Sequence, residues 1–132
     1  MVVKMYKFKR IVPSRLQTAN QKITEILKII DRTNLNQDLF YDVKLILNEL
    51  VVNGIKHGNE LDSDKNVHFE VNITEDKITI SVIDEGKGII HNCSDCNPVD
   101  LITSGRGLYI VDKLTEELII RHNKVVAVIP KG

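Results

Sequence analysis

The stretch Leu47-Asn48-Glu49-Leu50-Val51-Val52-Asn53-Gly54-Ile55-Lys56-His57-Gly58 decides how the rest of the chain is read. With Leu39, Val43 and Ile46 before it, its apolar positions keep a helical period to about His57, with Asn36 placed as the N-cap and Gly58-Asn59 as the stop. Glu49 and Asn53 are four residues apart, so their side chains lie one turn apart on one helix face, bordering the stripe of Val43, Ile46 and Leu50. A carboxylate and an amide oxygen thereby share the boundary between core and solvent. The same pattern also describes an ordinary amphipathic helix with two exposed polar residues. Helical projection turns His57 toward the apolar face, which predicts a packed histidine.

Upstream of that helix, Val3 to Arg10 alternates, with Tyr6 and Phe8 on one side and Lys7 and Lys9 on the other, and reads as a strand. Lysines in such a strand suit a sheet edge that must resist pairing with another chain. Pro13-Ser14 then opens a helix in which Ser14 and Gln17 have capping-box spacing and Leu16, Ile23, Ile26, Leu27 and Ile30 form the apolar stripe, ending near Asp31. Downstream, Val67 to Thr74 and Lys77 to Asp84 are alternating runs rich in β-branched residues, joined by Glu75-Asp76 as a hairpin. Glu85 to Arg106 keeps no apolar period, and so long an irregular loop in a compact domain is usually functional or mobile. Leu108, Ile110, Val111 and Leu114 mark a third helix, and Glu117 to Arg121 and Lys124 to Ile129 a closing strand pair around His122-Asn123. This order suits a two-layer α/β sandwich, with helices on one face of a mixed, mainly antiparallel sheet.

Composition narrows the function classes. The 132 residues match one domain over residues 1–132, and eighteen basic side chains balance eighteen acidic ones. No overall positive field gathers nucleic acid or an anionic membrane, so neither is expected as a partner. Apolar runs such as Leu45 to Leu47 are far shorter than a membrane span. Met1 to Lys4 leads into alternating cations rather than an apolar signal core, so the cytoplasm is the expected compartment. Cys93 and Cys96 are then expected as reduced thiols, and Cys-x-x-Cys with His91 supplies fewer than the four ligands of a structural zinc.

Three segments carry candidate chemistry. In the first, the Asn53 oxygen is a reasonable magnesium ligand beside nucleotide phosphates, because magnesium takes oxygen donors and keeps several waters; Glu49 is left for base work. In the second, Val82-Ile83-Asp84-Glu85-Gly86-Lys87-Gly88-Ile89, a strand runs out on an acid and a Gly-x-Gly pair. An Asp there can accept a hydrogen bond from an exocyclic amine, and glycines let the backbone pass close to a flat ligand. A surface turn has the same composition. In the third, Thr103-Ser104-Gly105-Arg106-Gly107-Leu108-Tyr109-Ile110-Val111, glycines and hydroxyls precede an apolar helix, offering backbone N–H groups and a helix dipole to phosphate. A plain loop-to-helix junction with a solvated Arg106 reads identically.

Taken together and in order, Glu-Leu-Val-Val-Asn-Gly-Ile-Lys-His-Gly, Asp-Glu-Gly-Lys-Gly-Ile and Gly-Arg-Gly-Leu-Tyr-Ile-Val resemble the boxes of the GHKL superfamily of ATP-binding domains. That superfamily includes type II topoisomerases, histidine kinases and mismatch-repair ATPases. Within it the chain most resembles the small bacterial anti-sigma factor serine kinases, over about Val12 to Ile129 in element order. The resemblance implies a Bergerat-type ATP-binding fold with ATP and Mg2+ as cofactors. It makes Glu49 the general base, Asn53 the magnesium ligand and Asp84 the acid that binds the adenine amine. Gly86 and Gly88 become the glycines of the adenine pocket and lid hinge. Gly105 and Gly107 become phosphate-binding glycines, with Ser104, Arg106 and Leu108 beside them in the cofactor site.

The activity so implied is phosphorylation of a serine on an anti-anti-sigma (STAS-type) partner by a protein that also sequesters a sigma factor. A homodimer through Val3 to Ile30 is implied as well. One departure favours the alternative of a catalytically inactive ATP- or ADP-binding regulatory module. Where members carry a Gly-Thr pair before the last strand, this chain has His122-Asn123-Lys124-Val125. A histidine kinase catalytic domain is disfavoured, because none of His57, His68, His91 and His122 begins a phosphoacceptor helix.

Overall fold

The alternating runs become strands where their apolar side chains share one face. A computed structural model describes residues 5–86 and 106–131. Strand β1 (Tyr6–Pro13) runs past Arg10, because Val12 is fully buried and paired with Val67. Strands β2 (Asn66–Ile73) and β3 (Lys77–Ile83) form the expected hairpin, closed where Thr74 N–H donates to the Lys77 carbonyl at 2.9 Å. Strands β4 (Glu117–Arg121) and β5 (Lys124–Pro130) form the second hairpin. The sheet order is β1-β2-β3-β5-β4 and all four ladders among the described residues are antiparallel. This is the antiparallel extreme of the expected sheet. The chain returns to β3 through the second strand of the β4–β5 hairpin, which reverses the direction that β4 itself would have presented.

Register puts Val67, Phe69, Val71 and Ile73 of β2 on the same face as Ile78, Ile80 and Val82 of β3, and all are buried. Against that face lie α1 (Leu16–Asp31), α2 (Gln37–Asn53) and α3 (Arg106–Leu114), which contribute Ile23, Ile26, Ile30, Ile46, Leu47 and Val111 to one core. Burying each such side chain stabilises the fold by about 1.5–3 kcal/mol. The opposite sheet face carries exposed Ile11 and His68, with Lys7 and Lys9 reaching Glu70 at 3.5 and 3.7 Å. Burial raises the Glu70 carboxyl, but the Asn72 side-chain amide and the two lysines outweigh it and leave the pKa below 4.5.

Both helix starts test the sequence expectations. Asn36 caps α2 as read, its Oδ1 accepting from Leu39 N–H at 2.8 Å. Ser14 does not cap α1: Arg15 holds the N-cap position without a side-chain bond, and Ser14 Oγ donates instead to the Lys65 carbonyl at 2.8 Å. That carbonyl also accepts Ser14 N–H at 3.1 Å, so the serine ties the end of β1 to the start of β2 and its hydroxyl is committed.

The decisive helix also ends differently from its projection. After Asn53 the chain makes one π-helical turn, Gly54–Gly58, in which Asn59 N–H reaches back five residues to the Gly54 carbonyl at 2.8 Å. A π turn places an extra residue in the turn and delays the inward phase. Gly54 and Ile55 are buried in step with α2, but the next buried residue is Asn59, fully enclosed, and His57 faces solvent. The expected packed histidine is therefore corrected.

Candidate functional site

Glu49 and Asn53 lie on the last turns of α2, half-buried and one turn apart, as the helical spacing requires. The π turn carries the chain from them to Gly58, which backs directly onto Asp84. A Cβ built on Gly58 would stand 2.2 Å from Asp84 Oδ2 and 2.3 Å from its Cγ. A Cβ on Gly86 would stand 1.8 Å from the Gly58 carbonyl oxygen. Both glycines are thus required by close approach, and the two boxes they belong to are in contact through them. Gly54 differs, since a Cβ there would meet Val67 and Val82 methyls at 3.5 to 3.6 Å, an ordinary contact.

Asp84 follows the last residue of β3 and is only 7% exposed. Burial pushes its carboxyl above the ordinary 3.8, opposed by the Gly86 N–H bond and by the charge of Lys65. That N–H meets Asp84 Oδ1 at 2.8 Å, which fixes one carboxylate oxygen. The main chain is fixed too. Asp84 N–H donates to the Asn123 carbonyl at 3.0 Å, and Asn123 Nδ2 donates to the Asp84 carbonyl. The next N–H, of Glu85, donates to Asn59 Oδ1 at 2.7 Å, while Glu85 Oε2 accepts from Asn66 N–H. The result is an acceptor at the end of a central strand whose surroundings keep it oriented, suited to the exocyclic amine of a base.

Asn59 is the residue that sequence reasoning missed here. Read as part of a helix stop, it is instead a buried node: its Nδ2 donates to Ser14 Oγ at 2.9 Å and to the Asn66 carbonyl at 3.0 Å. With Oδ1 accepting from Glu85 N–H, both polar atoms of its side-chain amide have partners, which burial demands. The sequence held only one signal for it, an Asn directly after a glycine at a helix end, and that signal is shared with any C-cap.

Arg106 and Gly107 open α3, and Leu108 turns its side chain into the core at 6% exposure. Leu108 can therefore meet a ligand only through its main chain. Gly88, Ser104 and Gly105 of the expected site, and Cys93 and Cys96, lie outside the described residues. Among the described residues, no group of three His, Cys, Asp or Glu side chains could hold a metal ion. The Asn53 amide oxygen, a single neutral donor, is of the type that suits a hard cation arriving with phosphate oxygens and waters as its other ligands.

A model of the histidine kinase-like ATPase domain matches residues 12–129. The chain belongs to that family. The antiparallel sheet with its helices on one face is the α/β architecture of such ATPase domains, and membership implies ATP binding. This histidine kinase-like ATPase domain is 35% identical over 92 residues to the anti-sigma F factor of Clostridium beijerinckii, covering 66% of this chain and 64% of the relative. It is 33% identical over 92 residues to the anti-sigma F factor of Clostridium botulinum, with the same coverage. The anti-sigma F factor of Priestia megaterium is 29% identical over 99 residues, 70% of this chain and 67% of the relative. The chain therefore spans a little under two thirds of the length of the clostridial relatives. Among the described residues no helix is long and apolar enough to cross a membrane.

Proposed function

We propose that the chain is an ATP-dependent protein serine kinase and anti-sigma factor. It transfers the γ-phosphate of ATP to a serine of a small anti-anti-sigma (STAS-type) partner and sequesters a sigma factor. The observation that carries this reading is the continuity of one helix: it bears Glu49 and Asn53 a turn apart and closes, through Gly58, onto the Asp84 carboxylate. The anti-sigma F factors among its relatives support the choice of partners.

Asp84 accepts the adenine amino group and sets where the nucleotide lies. Glu49 accepts the proton of the partner's serine hydroxyl as its oxygen bonds the γ-phosphorus and the bond to the β–γ bridging oxygen breaks, releasing ADP. Asn53 offers its amide oxygen to Mg2+, which when bound offsets charge on the phosphates. Arg106 and Gly107, at the N-terminal end of α3, are the phosphate side of the site. Such transfer needs positioning and charge stabilisation rather than a covalent protein intermediate. The protein works in the cytoplasm as a homodimer through β1 and α1, free of nucleic acid and membrane.

The test is transfer of labelled γ-phosphate to a candidate anti-anti-sigma protein. Transfer by the wild type, lost in Glu49→Ala with nucleotide binding retained, supports the kinase. The second reading, an ATP- or ADP-binding module that regulates its partner without transfer, is favoured by one observation. Asn123 lies in the stretch that stands where members carry the Gly-Thr pair, and it spends its side chain on the Asp84 carbonyl. Under that reading the wild type binds ATP without transfer, and Glu49→Ala leaves partner regulation untouched.

A further inference from the structure

Asn59, in the turn after α2, and Asn123, in the β4–β5 turn, are far apart in sequence and bond two adjacent residues, Asp84 and Glu85. The main-chain carbonyl of Asn123 accepts the Asp84 N–H, its side-chain Nδ2 donates to the Asp84 C=O, and Asn59 Oδ1 accepts the N–H of Glu85. Three consecutive main-chain polar groups beside the Asp84 carboxylate are therefore held, from both flanks, by two asparagines. The carboxylate stands beyond the last residue pair of the β3–β5 ladder, Ile83 with Lys124, so ladder bonds alone do not set its direction.

We propose that Asn59 and Asn123 are positioning residues that aim Asp84 at the exocyclic amine of adenine and so set the base specificity of the site. This rests on the reading of Asp84 as the adenine acceptor. Neither asparagine touches the nucleotide. Asn59 is fully buried and bonded from both ends of its amide, so it transmits the position of β1, through Ser14, and of β2, through the Asn66 carbonyl, to Glu85. Asn123 sits on a two-residue turn in which His122 has a φ of 49°, a left-handed conformation that delivers the asparagine side chain back toward β3. A hydrogen bond to a charged acceptor weakens steeply as its angle departs from linear, so a small rotation of Asp84 about its main chain costs recognition of the amine before it costs folding.

The experiment compares ATP with purine riboside triphosphate, which lacks the 6-amino group and otherwise has the same ribose and phosphates. Affinities for both are measured calorimetrically in the wild type, Asp84→Asn, Asn59→Ala, Asn123→Ala and Asn123→Asp. The wild type is expected to prefer ATP by about tenfold to a hundredfold, the worth of one charge-assisted hydrogen bond. Asp84→Asn is expected to abolish the preference. The positioning role requires that Asn123→Ala and Asn123→Asp lose most of the preference while affinity for purine riboside triphosphate stays within about twofold. Asn123→Asp conserves shape but trades the donor for a negative charge beside Asp84, so Asn123→Ala, which removes the donor without adding charge, is the deciding variant of the two. Asn59→Ala should do the same where it folds, and Asn123→Ala decides the matter where it does not. Variants that weaken both nucleotides equally, with the ratio intact, overturn the proposal and leave the adenine reading standing. A wild type without preference overturns both.

Discussion

Two glycines four residues apart on the same turn should answer alanine substitution with opposite signs. Gly54 and Gly58 both lie in the π turn, and backbone propensity alone predicts that alanine stabilises each by about 0.5–1 kcal/mol. At Gly54 the new methyl finds ordinary contact with Val67 and Val82, so that gain should be realised. At Gly58 the methyl would lie 2.2 Å from Asp84 Oδ2, and ordinary contact begins at 3.4 Å, so the carboxylate must retreat by 1.2 Å. It cannot do so freely: Oδ1 holds Gly86 N–H at 2.8 Å and the group is 7% exposed. Overpacking of this kind costs about 1–3 kcal/mol, which exceeds the propensity gain. Gly58→Ala should therefore unfold at lower urea concentration by about 1–2 kcal/mol. If Asp84 is the adenine acceptor proposed above, the variant should also bind ADP about tenfold to a hundredfold more weakly, since the displaced carboxylate would lose that charge-assisted bond. Urea unfolding followed by circular dichroism and calorimetric titration with ADP measure the two effects. A Gly58→Ala protein as stable as Gly54→Ala, with wild-type ADP affinity, would refute the close approach on which the site rests.

Asp84→Asn should weaken adenine nucleotide binding about tenfold to a hundredfold and yet stabilise the ligand-free protein at neutral pH, because it removes a carboxylate whose charge burial disfavours. The sign follows from the raised pKa. Between 3.8 and the raised folded value the folded state binds more protons than the unfolded one, so wild-type stability falls as pH rises through that window. The variant lacks this fall, and the difference should vanish in acid; urea midpoints across pH check it. Asn53→Ala should cost magnesium-dependent affinity for ATP while leaving affinity measured without magnesium near the wild type, and calorimetry with and without the cation separates these. Asn36→Ala removes the acceptor for Leu39 N–H and should lower stability by about 1 kcal/mol with no change in nucleotide affinity.

What was legible in the sequence was what short-range physics determines. The Asn36 cap, the two hairpins and the buried stripe of α2 each depend on partners within a few residues or on a regular period, and each stands where the pattern put it. Ser14 was misread because two partners competed for it. A capping-box neighbour lies three residues away in sequence, but the Lys65 carbonyl, fifty-one residues on, takes the hydroxyl once β1 pairs with β2. His57 and Asn59 exchanged places because projection at 3.6 residues per turn cannot register one extra residue. The closeness of Gly58 to Asp84 is likewise a tertiary fact, since Gly58 in sequence is only a glycine after a helix. His122-Asn123 showed in the sequence as a missing Gly-Thr pair, with nothing to indicate that Asn123 would bond the Asp84 main chain.

Among the described strands, β5 comes latest in sequence and yet lies not at the sheet's edge but between β3 and β4. During synthesis the chain emerges from its N-terminus, so β3 has a bare inner edge until residues 124–130 clear the ribosome. An unpaired strand such as Lys77–Ile83, apolar on one face, is an invitation to pair with a neighbouring chain. Over the same interval Asp84 lacks the carbonyl and the amide that Asn123 will supply. On the proposed role of Asp84, nucleotide capture by a nascent chain and covering of the β3 edge should therefore wait on the docking of one and the same hairpin.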